Sequence, residues 1–244
     1  MENIKLGFVK RAFKAVNLKR FKKSHTADKV AKYILNCPYE DQHILRMMIR
    51  KPHGEFVIPK ELEWAKDLVE LCNNIQEQNN IRHPFCYITV RHGIHKCTTE
   101  DEWHTDGYSE VITHLPEQNY IVTNGEHTTE ILPIRIKFPK KFNALKHDVV
   151  KYINSVISKI PKVLVNEVIT KALPNTVYVF DPYVIHRRPS EAFGTQRTFI
   201  RVTFVPIEIY DDACTPNPLM EHVTYNRNAS CTRNKLEEYK GLIK

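Results

Sequence analysis

No run of apolar residues in this 244-residue chain is long enough to cross a bilayer as a helix, so no transmembrane segment is expected. The first residues also lack the apolar centre of a secretory signal. Six cysteines stand at 37, 72, 86, 97, 214 and 231 without one Cys-x-x-Cys pair, which argues for scattered thiols rather than a disulfide framework. A reducing, cytoplasmic setting is the expectation that follows. No phosphate-binding glycine loop, dinucleotide fingerprint, Gly-x-Ser-x-Gly elbow or zincin motif occurs. Internal repeats and low-complexity segments are lacking too. So is regular strand–helix alternation, which argues against a parallel α/β sheet.

What is present is ordinary in bulk and uneven in place. With 42% hydrophobic and 26% charged residues, the chain can build a sizeable core as one globular domain. The net charge is +8, but residues 1–29 hold nine lysines and arginines against Glu2 and Asp28, a local net of +7. The rest of the chain is therefore close to neutral. The basic residues between 5 and 29 admit three readings: a solvated edge, a contact with nucleic acid or another polyanion, or a transit peptide. Their preference for lysine over arginine and serine counts against the last. The near-neutral remainder counts against a chain that is only a nucleic-acid-binding module.

Apolar spacing predicts a helix over 27–36 (Val30, Ala31, Ile34, Leu35), a second over 39–50 (Ile44, Leu45, Met48, Ile49) and a third over 61–74 after Pro59. A further helix is expected within 140–160, and a short one at 235–242. Stretches rich in β-branched and aromatic residues predict strands at 86–91, 109–114, 119–123, 130–138, 163–169, 176–180 and 196–205. Asn124-Gly125 is a turn signal. The expected organisation is a single domain over 1–244, mainly β with flanking helices. Residues 1–84 supply the basic arm and helical support, 85–210 an antiparallel β core, and 211–244 a tail packed on that core.

The chemistry concentrates in Glu102-Trp103-His104-Thr105-Asp106-Gly107-Tyr108 and in a later stretch ending at His186. Residues two apart in an extended segment project to one face, about 7 Å apart along the chain, so the tips of His104 and Asp106 can converge on one ion. His186 closes an apolar strand and is the best third ligand. Two imidazoles and a carboxylate leave open positions on an octahedral metal, the arrangement of non-haem Fe(II) oxygenases. Beyond His186, the alternation of 196–205 puts Arg197, Phe199, Arg201 and Thr203 on one face. Two arginines on a face with aromatics are costly to bury without an anion, and a dicarboxylate would satisfy one of them bidentately. Arg187 and Arg188 are either a further anion contact or part of an exposed loop. Tyr87, Thr89, Arg91, Tyr120 and Thr123 are candidate pocket residues. Trp103 and Tyr108 flank the ligand pair and either shape the substrate pocket or pack. A zinc cluster at His92-x-x-His95 with Cys97 is a competing site, but no fourth ligand stands at a telling spacing.

Together, His104-x-Asp106, His186 and an arginine in the next strand resemble the Fe(II)- and 2-oxoglutarate-dependent dioxygenases over roughly residues 85–206. The resemblance implies a double-stranded β-helix (jelly-roll, cupin-like) core, with His104, Asp106 and His186 as Fe(II) ligands. It implies 2-oxoglutarate and O₂ as cosubstrates, and hydroxylation with release of succinate and CO₂. The far carboxylate of 2-oxoglutarate would meet Arg197 in one family pattern, or Arg201 with Thr203 in another. The substrate would be a nucleobase, a nucleic acid or a small metabolite, with Trp103, Tyr108, Tyr87, Arg91 and Arg188 as candidate contacts. A cupin-type oxygenase without 2-oxoglutarate is the alternative on the same metal ligands.

Overall fold

The computed structural model describes residues 27–79, 81–94, 102–105, 117–134, 136, 149–180, 184–205, 208 and 214–220. These residues are mostly β, with a few helices. The strands are β1 (Ala27–Lys32), β2 (Gln42–Arg50), β3 (Phe85–Ile94), β4 (Gln118–Thr123), β5 (Glu130–Leu132), β6 (Thr170–Lys171), β7 (Thr176–Phe180), β8 (Ile185–Arg187) and β9 (Gln196–Val205). The helices are α1 (Lys66–Gln78), α2 (Val149–Ile157) and α3 (Lys162–Val168). A six-stranded sheet runs in the order β1-β7-β4-β9-β3-β2 and a three-stranded sheet in the order β6-β5-β8. All the strand pairs among the described residues are antiparallel. Among the same residues, no helix is long and apolar enough to cross a membrane.

The two-residue period of β3, β4, β7 and β9 sorts their side chains into layers. Ile88, Val90, Tyr120, Val122, Val177, Ile200, Val202 and Phe204 face one way, onto Leu68, Val69 and Cys72 of α1 and onto Leu62 and Ala65 of the 3-10 turn before it. Burying a leucine or valine side chain stabilises by about 1.5–3 kcal/mol, so this layer anchors the large sheet. Ile121, Tyr178 and Phe180 face the other way and pack on Ile131, Ala172 and Val184 beside the small sheet. The outer side of the small sheet, through Leu132 and Ile185, is covered by α2 and α3. The order is therefore helix, sheet, sheet, helix.

Four expectations meet this fold directly. The strands at 119–123, 176–180 and 196–205 and the helix after Pro59 lie where spacing put them. Three others are corrected. Residues 27–32 form β1, in antiparallel register with β7, and Ile34 is 80% exposed rather than part of a buried helical stripe. Residues 42–50 form β2. A register shift between Ile44 and Met47 separates two core residues by three positions, which mimics helical spacing. Residues 162–168 form α3 rather than a strand. Pro161 opens it, and the adjacent Leu164 and Val165 are both buried, where a strand would bury alternate residues. The strand expected at 109–114, the helix expected at 235–242 and the basic residues 5–23 lie outside the described residues.

Four cysteines are described, and all are free thiols. Burial pushes the Cys72 and Cys86 thiols well up from their ordinary range, so both remain protonated and unreactive inside the α1 layer.

Candidate functional site

Between the facing sheets, the inner surface changes character. It is apolar over β7 and at Ile121 of β4, but on β3 and β9 it carries Thr89, Arg91, Arg197, Phe199 and Arg201. There a cleft of about 260 Å³ opens, bounded on the opposite side by His104, Thr129, Val150 and His186. Among the described residues lining it, six are arginines (46, 91, 187, 188, 197 and 201) and Glu102 is the one carboxylate.

The two histidines arrive side by side although eighty-two positions separate them. His104 and His186 form an antiparallel bridge in which each backbone N–H donates to the other's carbonyl at 3.0 Å. Their ring centroids are 4.5 Å apart. Each ring is oriented by the same device. His104 Nδ1 meets the Glu102 carbonyl oxygen at 2.8 Å, and His186 Nδ1 meets that of Val184 at 2.9 Å. A carbonyl only accepts, so both Nδ1 atoms carry a proton, which leaves Nε2 as the ring nitrogen that a metal would take. Phe180 meets the His186 ring edge-on, with centroids 5.3 Å apart, which fixes it further.

The strands supply these positions. His186 lies in β8 opposite Ile131 of β5, and neighbouring Ile185 points outward into the α2–α3 layer. The segment carrying His104 is tied down by Asn154 of α2. Its side-chain oxygen accepts from the Trp103 N–H at 3.1 Å, and its amide nitrogen donates to the Trp103 carbonyl at 2.9 Å. One amide side chain thus imitates a strand partner. Trp103 is buried in the α2–α3 layer, away from the cleft, with the Arg187 guanidinium 4.3 Å above its ring. Arg187 in turn donates to Glu130 at 2.8 Å, so it is braced on both sides and does not sit in an exposed loop.

Arg197 is 9% exposed and is held by hydroxyls. Its Nε donates to Thr123 Oγ1 at 3.1 Å and its Nη2 to Thr129 Oγ1 at 2.9 Å. Burial, then the neighbouring Arg188 and Arg91, push its pKa down to about 10, which leaves it a cation at neutral pH. Arg188, 4% exposed, is also pushed down by burial. The Asn124-Gly125 turn seats this corner. Gly125 has φ +95, and a Cβ there would lie 3.2 Å from the Gln196 carbonyl oxygen, so glycine lets the β4–β5 connection press against the start of β9.

The other expected site residues divide. Arg91, Arg188 and Arg201 line the cleft with Arg197. Thr203 shares their face, but its hydroxyl donates to Asn119 Oδ1 at 2.7 Å beyond the cleft. Tyr87 packs with Met48 and Val205. Tyr120 faces α1 and meets Phe204 edge-on. Both ring nitrogens of His92 are engaged, by Thr198 Oγ1 and the Tyr39 carbonyl at 2.8 Å each, which removes it from any zinc cluster. Asp106, Tyr108, His95 and Cys97 lie outside the described residues. Among the described residues, no three His, Cys, Asp or Glu side chains form a metal-holding group. Asn154, Thr129, Glu130 and Arg46 were not expected at the site. Only Asn154 left a sequence signal, as a polar residue beside the apolar stripe of Val149, Ile153 and Ile157.

No protein-family model and no curated protein matches the chain. Among solved structures, the chain is similar to AviO1 from Streptomyces viridochromogenes Tue57, at 14% identity and a TM-score of 0.37 over 88% of this chain and 87% of that one. It is similar to EvdMO1 at 15% identity and a TM-score of 0.34, over 83% of this chain and 45% of that one.

Proposed function

We propose that this protein is an Fe(II)- and 2-oxoglutarate-dependent dioxygenase that hydroxylates a small molecule, with release of succinate and CO₂. The observation that carries the reading is the pair His104 and His186, joined backbone to backbone at an arginine-lined cleft, with both Nδ1 atoms committed to carbonyl oxygens. That commitment leaves Nε2 of each ring to bind a metal, and a pair of imidazole nitrogens suits Fe(II). Asp106, two residues after His104, would add the carboxylate. Two facing antiparallel sheets with the site between them support a double-stranded β-helix core.

Iron, when bound, supplies O₂ activation and the oxidative decarboxylation of 2-oxoglutarate. The protein's own residues bind, orient and screen. Arg197 is the better of the two arginines for the far carboxylate of 2-oxoglutarate, because Thr123 and Thr129 fix its guanidinium plane within the cleft. Burial strengthens that ion pair, since little water competes for the guanidinium. Phe199 lies beneath the Arg197 guanidinium at 5.5 Å and gives the cosubstrate chain an apolar wall. Phe180 keeps water from one side of His186.

The test is turnover of 2-oxoglutarate labelled at the carboxyl that leaves. The wild type is expected to form labelled CO₂ and succinate only with Fe(II), and His104→Ala and His186→Ala to form neither. Turnover that survives His104→Ala would end the reading.

A further inference from the structure

β2 departs from regular pairing at two places, between Ile44 and Met47 and between Met48 and Arg50, and the first of them lies in the cleft. Ile44 pairs with Val90 and Met47 with Ile88, so Leu45 and Arg46 together stand opposite Thr89. Two residues against one make a β-bulge, a device that re-aims side chains. Had alternation continued from Ile44, Arg46 would face the α1 layer. Instead Leu45 and Arg46 line the cleft.

The bulge is built rather than incidental. Arg46 has φ +43, a left-handed conformation that costs a residue with a side chain about 1–2 kcal/mol. Three hydrogen bonds hold the backbone there. The Arg46 N–H donates to Thr89 Oγ1 at 3.1 Å, the Leu45 N–H to Thr215 Oγ1 at 2.9 Å, and the Thr215 N–H to the Leu45 carbonyl at 2.7 Å. Strain of this kind persists where the surroundings over-determine it, and it gathers at functional sites.

On the far side of Thr89, β9 presents Arg201 in register with it. Arg46 and Arg201 therefore stand on the two strands flanking Thr89, and both line the cleft. Arg197 lies four residues along β9, about 13 Å away along the strand. A dicarboxylate seated on Arg197 is too short to span that distance along the strand to this second pair of guanidiniums. We propose that Arg46 and Arg201 form a second anion subsite, and that the molecule hydroxylated carries a carboxylate or phosphate group seated there. The proposal rests on the oxygenase reading, in which Arg197 takes the cosubstrate. Two guanidinium forks, each with several N–H donors, suit the planar or tetrahedral oxygens of either group. A cleft of about 260 Å³ suits a small molecule rather than a polymer strand.

The probes are inorganic sulfate, standing in for a phosphate ester, and acetate, standing in for a carboxylate. Each is titrated calorimetrically into the full chain holding Fe(II) and 2-oxoglutarate without O₂. One of them is expected to bind without displacing 2-oxoglutarate, and which one names the group. Arg46→Gly and Arg201→Gln should each weaken that anion by about tenfold or more and leave 2-oxoglutarate affinity within about twofold. Arg197→Gln should do the reverse. Glycine accepts φ +43, so Arg46→Gly keeps the bulge, and Arg46→Lys should recover part of the affinity. Anion binding that ignores Arg46→Gly, no binding of either probe, or loss of 2-oxoglutarate in Arg201→Gln would each overturn the subsite. Sulfate or acetate binding that depends on Arg46 in a chain that never binds 2-oxoglutarate would support the subsite while ending the oxygenase reading.

Discussion

Replacing Asn154 by aspartate keeps its shape and reverses two of its three hydrogen bonds. The side-chain oxygen would still accept from the Trp103 N–H, now 3.1 Å away. The amide nitrogen that donates to the Trp103 carbonyl at 2.9 Å and the Val150 carbonyl at 2.8 Å would become an oxygen facing two oxygens. Each lost bond is worth about 1 kcal/mol, and the half-buried charge adds to the deficit, for about 2–3 kcal/mol in all. In a domain of this size that lowers Tm by about 4–12 °C. The sign of the pH dependence follows. The opposing carbonyls raise the folded-state pKa of the introduced carboxyl above the ordinary aspartate value of about 3.9, because only the protonated form can donate. The variant's deficit should therefore shrink as pH falls through that raised pKa and be full at neutral pH. Because Asn154 positions the segment that carries His104, affinity for Co(II), used as an optical reporter for the metal, should fall about tenfold. Thermal melts from about pH 4 to about pH 8, spanning that titration, and a Co(II) absorption titration measure both effects. A melting point and a Co(II) affinity equal to the wild type's would refute the assignment of Asn154 as a positioning residue.

Glu130→Gln removes the charge that braces Arg187 at 2.8 Å and should cost about 1–3 kcal/mol in urea denaturation, because Arg187 loses its carboxylate partner. An unchanged midpoint would mean that the stack on Trp103 alone holds Arg187. Thr129→Val removes a hydroxyl partner of Arg197 at nearly constant volume. It should weaken 2-oxoglutarate by about tenfold in calorimetry and leave Co(II) affinity unchanged; equal loss of both would show a general collapse of the cleft instead.

Legibility followed regularity. β9 alternates without interruption, so its two faces were readable from residues 196–205, and the structure puts Arg197, Phe199 and Arg201 together on the cleft. The helix after Pro59 was readable because its apolar stripe faces one sheet throughout. The apolar spacing of β2 imitates a helix because the bulge breaks the two-residue period, and the same bulge hides Arg46. β1 misled for a related reason: its pairing with β7 also shifts register, between Lys29 and Ala31. At the candidate site, the pairing of His104 with His186 was anticipated from ligand chemistry. The side chains that orient the site were not. Thr129 acts through a single hydroxyl, and Glu130 through a partner fifty-seven positions away. Such contacts depend on which strands become neighbours, and no local pattern encodes that. Trp103 illustrates the converse, since a conspicuous residue next to a candidate ligand proved to be core.

The central claim is that His104 and His186 hold a metal beside a carboxylate-binding Arg197. An anaerobic titration of 2-oxoglutarate into the full chain with Fe(II), followed by visible absorption, tests it most directly. The wild type should develop a saturable charge-transfer band as 2-oxoglutarate chelates the protein-bound metal. His186→Ala should develop none, and Arg197→Gln should need about tenfold or more 2-oxoglutarate to reach half of it. A wild-type chain that develops no band, or a band that His186→Ala leaves intact, would contradict the account.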